Sequence, residues 1–82
     1  MEGGLPIMMM IYTLVSENNK HRVYKVVSDN DEGTIIVNKQ THEASSQGAF
    51  SSMFSKEFIE KLAVGTLKFK TNPPKEFTYG VG

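Results

Sequence analysis

Residues Ile7-Met8-Met9-Met10-Ile11-Tyr12-Thr13-Leu14-Val15 form a nearly unbroken apolar run at the head of a short, otherwise polar chain. The run is far below the roughly 20 apolar residues that a membrane-spanning helix needs. It does not alternate as a half-wet strand does, so it reads as a strand covered on both faces. This constrains the fold strongly, because the chain offers a single helix candidate to do the covering.

Two further strands follow. Ser16-Glu17-Asn18-Asn19-Lys20 is a turn by composition, with an Asn18-Asn19 centre suited to a tight hairpin. Arg22-Val23-Tyr24-Lys25-Val26-Val27 is β-branched and aromatic, and Thr34-Ile35-Ile36-Val37-Asn38 repeats that character after the polar turn Ser28 to Gly33. Connections this short require antiparallel neighbours. Lys39 to Gly48 shows no period and reads as a loop. Phe50, Phe54, Phe58 and Leu62 then recur at a spacing of four, beside Met53, Ile59 and Ala63. Ser55 is a candidate N-cap, with Phe54 and Ile59 placed as a hydrophobic staple; Ser51 or Ser52 would cap a longer helix. Gly65 stands where a C′ glycine ends a helix. Thr66-Leu67-Lys68-Phe69-Lys70 alternates and reads as a fourth strand, with Leu67 and Phe69 inward. Pro73-Pro74 stops regular structure, and Phe77 to Val81 reads as an edge strand or an ordered tail.

The expected fold is therefore α+β: a three-stranded antiparallel meander, one helix packed on one sheet face, then one or two C-terminal strands. At 82 residues the chain reads as one small domain, 1–82, with 1–6 and 72–82 as flexible or edge segments. There is no Cys, which removes disulfides and thiolate metal sites. The start lacks the basic n-region of a secretory signal, so a cytoplasmic protein with no membrane partner is expected. Met8, Met9 and Met10 each offer an alternative start to Met1.

If Asn18-Asn19 is a two-residue turn, one sheet face carries Met9, Ile11, Thr13 and Val15 with Arg22, Tyr24, Val26, Ile35 and Val37. The other carries Met10, Tyr12 and Leu14 with Val23, Lys25, Val27 and Ile36. One helix covers one face. The second face then leaves Met10, Tyr12, Leu14, Val23, Val27 and Ile36 as a proposed contact set, an apolar surplus of the kind that marks an interaction surface. The expected function is a non-enzymatic protein–protein interaction module, self-associating through that face into a homo-oligomer. Coverage by the tail Phe77-Tyr79-Val81 is the competing arrangement.

Two other classes compete less well. Arg22, Lys25, Lys68, Phe69 and Lys70 combine cations with aromatic neighbours, the chemistry of a single-stranded nucleic-acid groove. Nine Lys+Arg against nine Asp+Glu leave no net charge, which disfavours a phosphate binder. His21, His42 and Glu43 supply the donor types of a zinc site with an open position, the centre of a small metal-dependent enzyme. No HExxH-type spacing accompanies them, so no metal or other cofactor and no catalytic residue is assigned. Asp29 to Gly33 resembles the start of a calcium loop, but counting from Asp29 places Thr34 where glycine is needed and Gln40 where a bidentate Glu is needed.

Overall fold

A computed structural model describes residues 8–28, 31–49 and 55–81. Five strands form one antiparallel sheet: β1 (Met8–Glu17), β2 (His21–Val27), β3 (Glu32–Asn38), β4 (Glu43–Ala49) and β5 (Glu76–Val81), in the order β4-β3-β2-β1-β5. One helix, α1 (Lys56–Val64), runs directly into a 3₁₀ turn (Gly65–Lys68) between β4 and β5. The class is α+β, with the apolar opening run as a strand near the sheet centre. No helix among the described residues is long and apolar enough to cross a membrane.

The three expected strands are present, and β2 and β3 pair with Tyr24 opposite Ile35 and Arg22 opposite Val37, so those side chains share a face as anticipated. The orientation of β1 does not follow the expectation. The turn lies one residue further on, with Asn18 N–H donating to His21 O at 2.9 Å and the Asn18 side chain accepting from the Lys20 and His21 amides. That displacement slides the register by two and keeps the faces. A bulge then skips Val15: Glu17 faces Arg22 and Ser16 faces Val23, but Leu14 faces Tyr24 and Tyr12 faces Val26. One extra residue turns over every side chain of β1 that precedes it. Met10 and Tyr12 therefore join Tyr24, Val26, Ile35 and Val37 in the core, beneath Ile59 and Ala63 of α1.

The stretch read as a loop, Lys39 to Gly48, mostly forms β4. Its small, polar residues have little intrinsic β preference, and the ladder to β3 makes the strand. Asn38 starts the connecting turn by accepting from the Gln40 and Thr41 amides, and His42 closes it at φ 63°. Gly48 sits at φ +114°, where a Cβ would lie 2.7 Å from Glu32 O and Gly33 Cα, so no larger residue fits. Ser46 Oγ donates to Glu60 Oε2 at 2.6 Å, tying β4 to the helix.

Ser55 caps α1, its hydroxyl accepting from Phe58 N–H at 3.1 Å. Phe50, Ser51, Ser52, Met53 and Phe54 lie outside the described residues, and with them the staple and the longer-helix alternative. Gly65 does not end the chain's helical path in a left-handed cap; it is right-handed, at φ −59°, and opens the 3₁₀ turn. The expected fourth strand at 66–70 is that turn and the extended residues after it. Thr66 rather than Phe69 is buried, because its hydroxyl donates back to Ala63 O at 2.7 Å. Phe77 to Val81 does form an edge strand, paired with β1. It widens the sheet instead of folding across it: Phe77 stacks on Tyr12 at 4.4 Å on the helix side, and Tyr79 meets Phe58 there at 5.2 Å.

Candidate functional site

The helix and the 3₁₀ turn both lie on the face of Tyr12 and Tyr24, and among the described residues no helix packs on the opposite face. The register places Met9, Ile11 and Val27 at one end of this open face, with Ile11 directly opposite Val27. Val23 pairs with Ile36 towards the other end, beside the bulged Val15. Between them runs a polar belt, Glu76–Thr13–Lys25–Thr34–Gln47, in cross-strand register. Lys25 Nζ lies 3.0 Å from Glu32 Oε2. Met9, Ile11, Val27 and Val15 keep 37%, 36%, 38% and 60% of their surface, a large amount for apolar residues in the body of a sheet.

The expected contact set is thus divided. Met10 and Tyr12 are in the core and Leu14 packs against it, whereas Val23, Val27 and Ile36 are on the open face. Met9, Ile11 and Val15 stand on the open face in place of the three β1 residues named from sequence. A bulge has no composition signal here, so the residue that selects the exposed half of β1 could not be read from the sequence.

The proposed nucleic-acid set is not brought together. Arg22 is fully buried on the helix side. Its Nε and Nη2 donate to Glu17 Oε2 at 2.9 and 2.6 Å, its Nη1 to Thr66 O at 2.6 Å, and its Nη2 to Phe69 O at 2.8 Å. Lys25 is across the sheet, in the ion pair with Glu32. Lys68 ends the 3₁₀ turn and Phe69 and Lys70 follow it, all three exposed. Of the rings near these cations, Tyr24, Phe77 and Tyr79 pack on the helix side, and Phe69 is exposed.

Glu17 joins Arg22 to Lys39, whose Nζ is 2.7 Å from the same oxygen. The Lys39 hydrogen bond, followed by that of Arg22, outweighs desolvation and holds the Glu17 carboxyl below the usual range. Burial acts alone on Tyr12 and first on Tyr24, raising both hydroxyls above the ordinary tyrosine value. Both hydroxyls are used structurally, donating to Ile59 O and Pro74 O at 2.9 Å each.

At the proposed metal corner, His21 and Glu43 both lie opposite Asn38 and line a shallow recess with Ile36, Thr41 and Ser45. His42 occupies the exposed left-handed turn position and does not line it. Among the described residues no group of three His, Asp or Glu side chains is arranged to hold a metal ion. No family model, no curated protein and no solved structure matches the chain.

Proposed function

We propose that this chain is a protein–protein interaction module that self-associates through the open face of its sheet. The observation carrying the reading is the exposure of Met9, Ile11, Val15 and Val27 on a face that neither α1 nor β5 covers. Strands spaced about 4.8 Å apart, with residues rising about 3.3 Å, give a five-stranded face of this length a footprint of about 550 Å². Two such faces together bury about 1,100 Å², near the lower bound for a specific association. The arrangement suits a two-fold axis: apolar groups lie at both ends of the polar belt, so two copies can stack in register around Thr13 and Lys25. Zero net charge removes long-range repulsion between copies.

Ile11→Asp tests the reading, since it places a charge at the apolar end without entering the core. Sedimentation equilibrium of the parent is expected to show twice the 9.1 kDa chain mass, and the variant a monomer with an unchanged circular dichroism spectrum. A parent that remains monomeric at about 1 mM, a concentration at which even contacts of roughly −4 kcal/mol are half-formed, refutes self-association.

A further inference from the structure

The helix side of the sheet carries a second surface that the core does not fill. A recess of about 430 Å³, open to solvent, lies between the 3₁₀ turn and the segment leading into β5; Leu62, Phe69, Pro74 and Phe77 form its apolar lining and Lys68 its charged one. Its size is within the range of sites that take a large side chain or a small ligand.

Its two walls are held from beneath by buried polar groups of one strand. Arg22 of β2 donates to the carbonyls of Thr66 and Phe69, fixing the wall that presents Lys68 and Phe69. Tyr24, two residues along the same strand, donates to the Pro74 carbonyl and fixes the opposite wall. Phe77 forms the floor, stacked on Tyr12. The recess is therefore preorganised, and little ordering cost remains for a ligand to bear.

Charge identifies the occupant. Residues 66–75 contain Lys68, Lys70 and Lys75 and no Asp or Glu, within a chain that is neutral as a whole. Among the described residues none of these three lysines is ion-paired. Lys68 Nζ instead lies 5.2 Å from the Phe69 ring centre, a cation carried on an apolar wall. We propose that the recess binds a short acidic peptide segment of a partner protein, a Leu or Phe side chain entering between Phe69, Pro74 and Phe77 and flanking Asp or Glu residues meeting Lys68 and Lys70. The open, shallow form suits a chain passing over it better than an enclosed small molecule.

The test is fluorescence polarisation with a labelled peptide carrying one central Leu among Asp and Glu, titrated with the intact protein. Saturable binding is expected, weakened at least tenfold by Lys68→Glu, by Phe69→Asp, by Leu→Ser in the peptide, by replacing the peptide's Asp and Glu with Lys, and by 0.5 M salt. The two peptide-side controls, anchor loss and replacement of the acids by Lys, keep the test valid if a protein variant unfolds. Absence of binding at millimolar protein, or binding indifferent to the Leu anchor or to Lys68→Glu, overturns the proposal. Ile11→Asp is expected to leave peptide binding unchanged; loss of binding in that variant would assign the peptide to the open sheet face and also overturn it.

Discussion

Replacing Arg22 by Ala isolates the contact on which the helix side of the molecule depends. The guanidinium is fully buried and donates to a carboxylate, to the Thr66 hydroxyl and to two backbone carbonyls 44 and 47 residues away, so truncation leaves four acceptors short of a donor. Each carbonyl left without its donor costs about 1–3 kcal/mol, while the Glu17 carboxylate keeps Lys39 and its contact with solvent. A chain of this length has roughly 4–12 kcal/mol in total. At about 4–8 °C per kcal/mol for a small domain, a 3 kcal/mol loss lowers the melting temperature by about 12–24 °C. Arg22→Lys is expected to recover little of it, because an ammonium cannot reach Glu17, Thr66 and Phe69 together as the planar fork does. Thermal melts by circular dichroism measure both variants, and a double-mutant cycle with Glu17→Gln is expected to give a coupling of about 1–3 kcal/mol. If Arg22→Ala melts within a few degrees of the parent, the guanidinium is not the anchor described above.

The depressed Glu17 carboxyl makes stability depend on acid. Its contribution is fully present above the unfolded value near 4.3 and is lost as pH falls through the lower folded value; urea midpoints between about pH 2 and 6 should show a slope that Glu17→Gln reduces. At the alkaline end the raised Tyr12 works in the opposite sense. Its contribution holds below the ordinary tyrosine value near 10 and declines as pH rises towards the folded one; Tyr12→Phe should lose about 1 kcal/mol at neutral pH, the value of one hydrogen bond, together with part of that alkaline sensitivity. Gly48→Ala, forced to a positive φ with Cβ against Glu32 O, should destabilise by at least about 1 kcal/mol in a denaturant melt; an unchanged midpoint would contradict the tight β3–β4 approach.

What the sequence disclosed was set by the strength of local signals. The unbroken apolar opening run, the paired β-branched segments and the Ser55-capped helix each carry a strong local signal with a terminator, and all are present. Residues 43–49 were illegible because Ser, Gln, Gly and Ala take strand form only through the ladder to β3. Residues 66–70 misled for the opposite reason. A five-residue alternation imitates a strand, but carbonyls of this segment are drawn inward by a guanidinium far away in sequence. The surplus of apolar sheet surface could be inferred from composition; its membership could not, since it turned on the skipped Val15. The recess beside Lys68 was out of reach for the same reason as the 3₁₀ turn that walls it.

The skipped valine has a consequence for how this chain can vary. Removing Val15 would let Leu14 follow Ser16 in an unbroken ladder with the present pairing, so Met10 and Tyr12 would stay inside and Met9 and Ile11 outside. A one-residue deletion at this point is thus absorbed by closing the bulge. Drawing Val15 into the ladder would do the opposite, turning the upstream half of the strand inside out.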